Sequence, residues 1–343
     1  MKFRTKVLFT VVLLSAVAFT SNGQDGLEEL LESGVSDATK ITGAYVAPGF
    51  KAIGNALAAG WYNTGAPHKL GGFDLTITGN LAYIPDDELF FDAAALDLET
   101  VRLVDPGDDL APTIMGPDIT PTYEILDQNG SPTGETFEGP PGLDLKGELG
   151  LRAIPLPMAN LGIGLPKGTE LKVRFIPTIG GDGDEVQFKF WGLAIMHDVK
   201  QHIPKMNLVP IDISFFGGYS KMKITTDLSG TFDSNGTDQT GAITMTSTTL
   251  QGLVSKKVSV LTFYGGLGYN IIKTALEMKG SYDIDGSTTI ESYENNPLSI
   301  DISGSGPRFT VGMRLKLGIL TFHGDYTLQK YNVLSAGLGF SFR

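Results

Sequence analysis

The chain has 343 residues, no cysteine and a formal net charge of −12, with 38 acidic against 26 basic side chains. The lack of cysteine excludes disulfides and thiolate metal sites. The acidic balance argues against nucleic acid as a partner, because phosphates must be neutralised by clustered Lys and Arg.

The first 23 residues have the order of a secretory signal peptide. Lys2, Arg4 and Lys6 precede an apolar run over residues 7–19, and small and polar residues then lead to a predicted cleavage after Gly23. The apolar run is too short for a transmembrane helix, which needs roughly 20 residues. We therefore expect residues 1–23 to be removed during export, which leaves a still more acidic chain.

Residues 24–71 are predicted to form a plug in the mouth of a barrel. The stretch 41–66 is rich in Gly and Ala and shows no sustained period of two, and a short helix is expected over 52–59. We predict an irregular or short-helical plug whose aromatic side chains line a pocket for an apolar ligand. The alternative is that these aromatics only pack the plug against the wall. They are Tyr45, Phe50, Trp61 and Tyr62.

Strand-like alternation begins at residue 72 and recurs to the end of the chain. Phe73, Leu75 and Ile77 share one face of an extended segment, and Asp74 and Thr76 share the other. Such a pattern requires one apolar and one polar surface. A second strand is expected within 88–104. Further strands are expected over 143–152, 171–175, 186–190, 209–219, 308–317, 320–329 and 334–342.

The lengths of the connections indicate how these strands are arranged. Long polar loops are predicted near 105–142, 228–241 and 279–297, and they alternate with tight links. Long loops on one side and short turns on the other are typical of outer-membrane barrels. The sequence predicts an all-β, antiparallel transmembrane barrel over 72–343 with about 12 strands, within a range of 10 to 14. A soluble periplasmic β-sandwich is the alternative, since its strands also alternate.

Charged side chains in the last third fall on the predicted lumen face. Arg308, Arg314 and Lys316 form a positive stripe that would attract anions, or they pair with acids on neighbouring strands. His323 and Asp325 lie two residues apart and therefore on one side of a strand. They form either a hydrogen-bonded pair that tunes the pore or two separate wet residues.

No catalytic or metal-binding motif is evident. The four histidines fall at no zinc-ligand spacing with acids placed to complete a site. The pair His197-Asp198 is interpreted as part of a solvated turn. We therefore predict that the chain is not an enzyme and that it has no cofactor and no metal site.

Three stretches resemble known outer-membrane proteins. The last strand, with Phe340 and Phe342, resembles the carboxyl-terminal strand that the barrel-assembly machinery recognises, although Arg343 follows the final aromatic. The stretch 188–219, with Trp191-Gly192 and the run from His197 to Gln201, resembles an uncharacterised family of outer-membrane barrels. That likeness extends over most of the mature chain. The segment 45–83 is similar to the amino-terminal region of the fatty-acid and aromatic-hydrocarbon channel family, which has an irregular plug before its first strand.

These resemblances imply a function and partners. The channel-family likeness implies passive uptake of small apolar molecules and carries no binding residues over. We expect an outer-membrane channel for a small hydrophobic solute, with outer-membrane lipid and the barrel-assembly machinery as partners. The alternative is a structural or partner-binding barrel without transport activity.

Overall fold

The computed structural model describes residues 35–104, 109–179, 186–228, 239–280 and 298–342. The predicted signal peptide, Arg343 and most of the predicted loops near 228–241 and 279–297 lie outside the described residues. Within the described ranges, no helix is long and apolar enough to cross a membrane.

Ten antiparallel strands close into a barrel, which confirms the predicted fold class. The helices are α1 (Val35–Ala58) and α2 (Leu145–Leu149). The strands are β1 (Phe73–Tyr83), β2 (Phe90–Asp92), β3 (Val101–Leu103), β4 (Leu110–Pro112), β5 (Thr122–Leu126), β6 (Pro132–Glu138), β7 (Ala153–Leu165), β8 (Thr169–Ile179), β9 (Val186–Asp198), β10 (Asp212–Asp227), β11 (Thr240–Val258), β12 (Leu261–Lys279), β13 (Leu298–Leu317), β14 (Leu320–Leu328) and β15 (Val333–Phe342).

The barrel consists of β1 and β7–β15, and each strand pairs with its sequence neighbour. The barrel closes because β1 pairs with β15 on one side and with β7 on the other. The strands β2–β6 form two small separate sheets in the connection between β1 and β7. This connection accounts for the overestimate of about 12 barrel strands. In place of the strand expected within 88–104, the structure has the short strands β2 and β3. In place of the strand expected over 143–152, it has the helix α2.

The two ends of the barrel differ in their connections. At one end, the short-turn end, residues 166–168, 259–260 and 318–319 join neighbouring strands directly. At the other, the long-loop end, the connection 84–152 contains both small sheets, and most of the loops predicted near 228–241 and 279–297 lies outside the described residues. This asymmetry is typical of an outer-membrane barrel with its short turns in the periplasm.

The alternating faces of the strands are as the sequence predicts around most of the wall. On β1, Phe73, Leu75 and Ile77 point outward and are exposed, whereas Asp74 and Thr76 point inward and are buried. The closed sheet leaves its apolar side chains on the outside instead of burying them against a second sheet. The soluble sandwich is therefore excluded, and the outer surface suits a lipid bilayer.

The alternation is inverted at the long-loop ends of the longer strands. Phe188 and Phe190 on β9 point inward and are buried, whereas Lys189 between them is exposed. β10–β13 have 16 to 20 residues, longer than the roughly 9–11 residues that cross a bilayer. Beyond the bilayer the outer face meets water, and the inner face is apolar because α1 fills the lumen there.

The lumen contains α1, so the segment predicted to be irregular or short-helical is helical, and its helix is longer than the one expected over 52–59. α1 begins beside the long connection, where the Asp37 carboxylate accepts hydrogen bonds from the backbone N–H groups of Glu99 and Thr100, both at 2.7 Å. It continues for 24 residues, with Pro48 inside it. Gly and Pro lower intrinsic helix propensity. A helix nevertheless satisfies its backbone groups internally, which an enclosed segment requires.

An apolar cluster surrounds α1 in the half of the lumen nearer the long-loop end. Tyr45, Val46, Phe50, Ile53 and Leu57 come from α1. The wall contributes Met158, Phe188, Phe190, Met222, Ile224, Met245, Met278, Ile300 and Ile302. We call this set the apolar cluster. The half of the lumen nearer the short-turn end contains buried charged and polar side chains beside a second group of buried apolar side chains around Trp61 and Tyr62, and we call it the polar half.

A group of charges fastens α1 to the rim at the long-loop end. Glu88, in the connection after β1, forms salt bridges with Lys51 of α1 (Nζ–Oε2 3.6 Å) and with Lys330, which follows β14. Burial raises the pKa of Glu88. The hydrogen bond from Lys330 and the charges of both lysines outweigh burial, so the pKa lies below its ordinary value.

We expect acid to loosen this fastening. Because the pKa of Glu88 is lowered in the folded chain, its contribution to stability is present above the ordinary Glu pKa of about 4.3. It is lost as the pH falls through the lower, folded-state pKa. Limited proteolysis within 84–100 should therefore accelerate below about pH 4. The variant Glu88→Gln should be cut faster at neutral pH and respond less to acid. Equal acid sensitivity in both proteins would contradict this role.

Candidate functional site

The carboxyl end of α1 lies inside the barrel and is held by polar side chains of the wall. Arg174 of β8 donates hydrogen bonds to the carbonyl oxygens of Leu57 (2.9 Å) and Ala59 (2.6 Å). Arg308 of β13 donates to the carbonyl oxygen of Ala58 at 2.9 Å. Further donors are Asn80 to Ala56, Asn160 to Gly60 and Ser220 to Leu57. We call these five wall residues the helix cradle.

The helix cradle meets an electrostatic need of α1. The last four carbonyl groups of a helix lack partners within it and carry the negative end of its dipole. Arg174 and Arg308 are only 1% and 2% exposed. Across the described residues, neither guanidinium forms a salt bridge with a carboxylate. The carbonyl groups at the end of α1 therefore accept hydrogen bonds from two buried cations, beside side-chain acceptors of the wall such as Asn160 and Asn270.

An aromatic cluster follows the end of α1. The guanidinium of Arg174 lies over the ring of Trp61, 3.7 Å from its centroid. Tyr62 contacts the rings of Phe216 and Tyr264 edge-on, with centroids 5.3 Å and 6.0 Å away. The Tyr62 hydroxyl donates to Gln251 Oε1 at 2.9 Å. These contacts fix residues 61–62 across the lumen.

The four aromatic residues predicted to bind ligand lie in two separate places. Tyr45 and Phe50 belong to the apolar cluster, and Trp61 and Tyr62 belong to the aromatic cluster. All four are buried, with 3 to 8% exposure, against the wall or against neighbouring loops. All four side chains pack closely in this structure, and it does not bring them together in one pocket.

A cluster of ionic side chains lies nearer the short-turn end. His68 Nδ1 is 3.1 Å from Glu170 Oε2, and the backbone N–H of His68 donates to the same carboxylate. The Lys172 ammonium is 2.5 Å from Glu170 Oε1 and 3.3 Å from Asp74 Oδ1. His68 Nε2 is 3.0 Å from Ser341 Oγ. We call His68, Asp74, Glu170 and Lys172 the ionic cluster, and it anchors the segment that joins α1 to β1.

The ionic cluster has the donor set of a metal site but is better suited to a salt bridge. Within the described chain, His68, Asp74 and Glu170 each offer a ligand atom, all within 4.8 Å of one another. The Lys172 ammonium lies against both carboxylates, where a metal ion would have to displace it. No local pattern in the sequence indicates this cluster, because Asp74 meets Glu170 only when β1, β7 and β8 are paired.

The predicted lumen residues point inward but form neither a free stripe nor a pair. Arg308 and Arg314 bind the plug, the latter through Asn63 Oδ1 at 3.0 Å. Lys316 is partly exposed and donates to Ser341 Oγ at 3.0 Å. His323 Nε2 lies 3.2 Å from the hydroxyl of Thr78 on β1, and Asp325 accepts from the hydroxyl of Tyr264 on β12 at 3.0 Å.

The wall is incompletely paired between β7 and β8. The ladder joins residues 160–165 of β7 to residues 169–174 of β8, and among the described residues it goes no further toward the long-loop end. Pro155 and Pro157 lie on the part of β7 that pairs with β1 but not with β8, and Pro177 lies on the part of β8 that does not pair with β7. Proline lacks the N–H that a ladder needs. Continuing the register would place Pro157 opposite Pro177, so the sequence itself ends the pairing.

The unpaired stretch adjoins the apolar cluster. Met158 of β7 belongs to that cluster, and Leu156 and Ile176 pack against it. At the start of the stretch, the side chain of Phe175 is 66% exposed on the outer surface. The apolar interior is therefore separated from the surroundings by side chains without a continuous ladder between β7 and β8.

Comparison with known proteins gives weak structural likenesses to barrels and one family. The Ail protein of Yersinia pestis is 10% identical, and the match covers 80% of this chain and 99% of Ail with a TM-score of 0.27. The translocator domain of the autotransporter NalP from Neisseria meningitidis is 12% identical over 86% of this chain and 93% of that domain, with a TM-score of 0.28. The Ralstonia pickettii toluene transporter TbuX is 8% identical over 87% of this chain and 99% of its own, with a TM-score of 0.23.

Comparison by sequence identifies one family. No curated protein matches the chain significantly. One family model, described as a family of unknown function (DUF6588), matches residues 1–342. The chain belongs to the DUF6588 family, whose fold in this member is a closed ten-stranded barrel around a helical plug.

Proposed function

We propose that this chain is an outer-membrane channel for a small apolar solute and that α1 is its movable plug. The outward apolar side chains and the short turns at one end support insertion in the outer membrane. A ten-stranded barrel has a narrow interior. Because α1 occupies this interior, the conformation described here is closed, and passage requires α1 to shift.

We propose an apolar solute because of one observation. The apolar cluster around α1 reaches the stretch where β7 and β8 are not paired with each other. A solute that partitions into the outer part of the bilayer would meet side chains such as Phe175 there. It would pass between the strand edges without breaking ladder hydrogen bonds. Inside, it would displace contacts between apolar side chains, which costs less than entering the polar half of the lumen.

The proposal is tested by tethering α1 to the wall. A Cβ atom built on Gly54 of α1 lies 3.3 Å from Cβ of Ile272 on β12, close to the roughly 3.5–4.5 Å of a disulfide. The chain has no native cysteine. The double variant Gly54→Cys/Ile272→Cys should therefore form one defined bond. In liposomes, uptake of a small aromatic hydrocarbon should be blocked when the bond is oxidised and restored by a reductant.

The controls separate the two functions that the fold allows. Each single-cysteine variant should transport equally in both redox states, and a small sugar should not enter through any variant. Equal uptake of the hydrocarbon with the disulfide formed and reduced would contradict the proposal that α1 is a movable plug. No uptake in any state would favour the alternative, a structural or partner-binding barrel. The dense packing around Tyr45, Phe50, Trp61 and Tyr62 supports that alternative.

The remaining expectations from the sequence are part of the same proposal. We propose that export removes residues 1–23 and that the barrel-assembly machinery recognises β15 through its outward Phe340 and Phe342. We also propose that the chain has no enzymatic activity. Outer-membrane lipid would contact the exposed apolar side chains, and no nucleic acid is expected as a partner.

A further inference from the structure

Two histidines face each other at the short-turn end of the barrel. His197 is the penultimate residue of β9, and His202 lies in the helical turn that follows. Their Nε2 atoms are 3.0 Å apart, and the ring planes are within 24° of parallel with centroids 5.3 Å apart. Each ring therefore directs its Nε2 atom at the other. In the absence of an ion, one N–H donates to the lone pair of the other ring.

The surroundings of His197 leave its Nε2 lone pair available. Its Nδ1 is 2.8 Å from the hydroxyl of Thr169, the residue paired with it on β8. The side-chain amide nitrogen of Gln201, which can only donate, lies 3.4 Å from Nε2 of His197. The Thr169 hydroxyl can accept from Nδ1–H, and both amide hydrogens of Gln201 are donated to carbonyl oxygens, so neither group occupies the Nε2 lone pair. An imidazole oriented in this way by a hydrogen bond on its other nitrogen is the usual form of a histidine metal ligand.

The segment that carries His202 is braced against its neighbours. The Gln201 side-chain amide donates to the carbonyl oxygens of Lys167 and Asp198, both at 2.8 Å. The Lys200 ammonium donates to the carbonyl oxygens of Val209 and Ile211, both at 2.6 Å. The two rings are therefore held close together before any ion binds, which lowers the entropy cost of binding.

We infer that His197 and His202 form a binding site for a transition-metal cation at the short-turn end. The ion would replace the proton shared between the two Nε2 atoms. With Zn–N distances of about 2.0–2.1 Å and a tetrahedral angle at the ion, the two nitrogens would lie about 3.3 Å apart, so the rings must separate by a few tenths of an ångström and tilt until both lone pairs point at the ion. Within the described residues, no set of three His, Asp or Glu ligands includes this pair, so water would complete the coordination. Two imidazoles favour copper(II) most strongly, and zinc less.

The site is independent of the plug and of transport. Neither histidine belongs to the helix cradle, the ionic cluster or the apolar cluster. A bound ion would join the connection 199–211 to the end of β9 and, through Thr169, to the turn before β8. If the short turns lie in the periplasm, as proposed above, the site would bind metal ions from the periplasm.

Copper(II) titrated into the full-length detergent-solubilised protein, prepared without a polyhistidine tag, tests this site. We expect one ion per chain, and the electron paramagnetic resonance spectrum should show hyperfine coupling to two imidazole nitrogens. Loss of the second nitrogen from the spectrum is expected for His202→Asn. The matched control Ile203→Ala changes an exposed neighbour in the same segment and should bind like the parent.

A further variant distinguishes a site from adventitious binding. Thr169→Val removes the partner of His197 Nδ1 but no ligand, and it should weaken copper binding about tenfold, as loss of an outer-shell partner does. Heat-modifiable gel mobility verifies that each variant is a folded barrel. Coupling to one nitrogen or none in the parent protein, or unchanged binding in His197→Asn/His202→Asn, would overturn the site. The parent spectrum alone decides the matter if a variant does not fold.

Discussion

Replacement of Arg174 by methionine is expected to release α1 from the barrel wall. Methionine is nearly as long and apolar but donates no hydrogen bond. The substitution removes the guanidinium donor of Asn160 Oδ1 and of the carbonyl groups of Leu57 and Ala59. These carbonyls keep only the longer contacts from Ser220 and Asn80, both at 3.4 Å. Breaking buried hydrogen bonds to a charged group costs about 3–5 kcal/mol. We expect ion conductance through planar bilayers to rise and α1 to become accessible to protease.

The effect should be specific to the buried position. Arg102 forms an exposed salt bridge with Glu124 on the small three-stranded sheet, and such pairs contribute about 0–1 kcal/mol. Arg102→Met should therefore leave conductance unchanged. If Arg174→Met remains closed and protease-resistant while the barrel stays folded, the helix cradle does not hold the plug.

The second large effect is expected from Gly54→Val. A Cβ at Gly54 would lie 2.3 Å from Cγ2 of Ile272, closer than two carbon atoms can approach. α1 must then shift away from β12, and overpacking of this kind costs about 1–3 kcal/mol. We expect partial opening of the channel, measured as conductance, and a lower temperature for the loss of α1 protection from protease.

A compensating change tests the cause. Gly54→Val/Ile272→Ala removes the clashing methyl group and should recover most of the loss, because valine then fills the space that the isoleucine left. Gly306→Val on β13, where an added Cβ meets nothing within 4 Å, should have little effect. A double variant as open as Gly54→Val alone would refute steric contact as the reason for glycine at this position.

The helix cradle shows why the site was only partly predictable. Sequence alternation placed Arg308 and Arg314 on the inner face, and the structure agrees. The alternation predicts which face of the sheet a side chain lies on, but it does not predict which group that side chain contacts. The partner of Arg308 is a carbonyl group 250 residues away in sequence, and no local pattern encodes that contact. The sequence left these arginines either as part of an anion-attracting stripe or as partners of acids on neighbouring strands, and in the structure both bind the plug.

The same limit applies to the two histidines at the short-turn end. Their separation in sequence, from His197 to His202, does not match the spacing of metal ligands on one helix turn, so the pattern indicated only a turn. The strand end at Asp198, the helical turn and the hydrogen bonds of Gln201 bring the rings together. This arrangement depends on how the connection folds back on itself, which composition does not determine.

The amino-acid sequence by itself determined that most strands have one apolar and one polar face, because successive side chains of an extended chain point to opposite sides. The structure decided that these strands close into a barrel and not into a sandwich. The sequence also determined the break between β7 and β8, since proline cannot donate to a ladder. Only the tertiary structure decided that residues 35–58 are a continuous helix and which wall groups hold it. Intrinsic propensity opposed that helix, and enclosure in the lumen, which requires every buried backbone group to find a partner, favoured it.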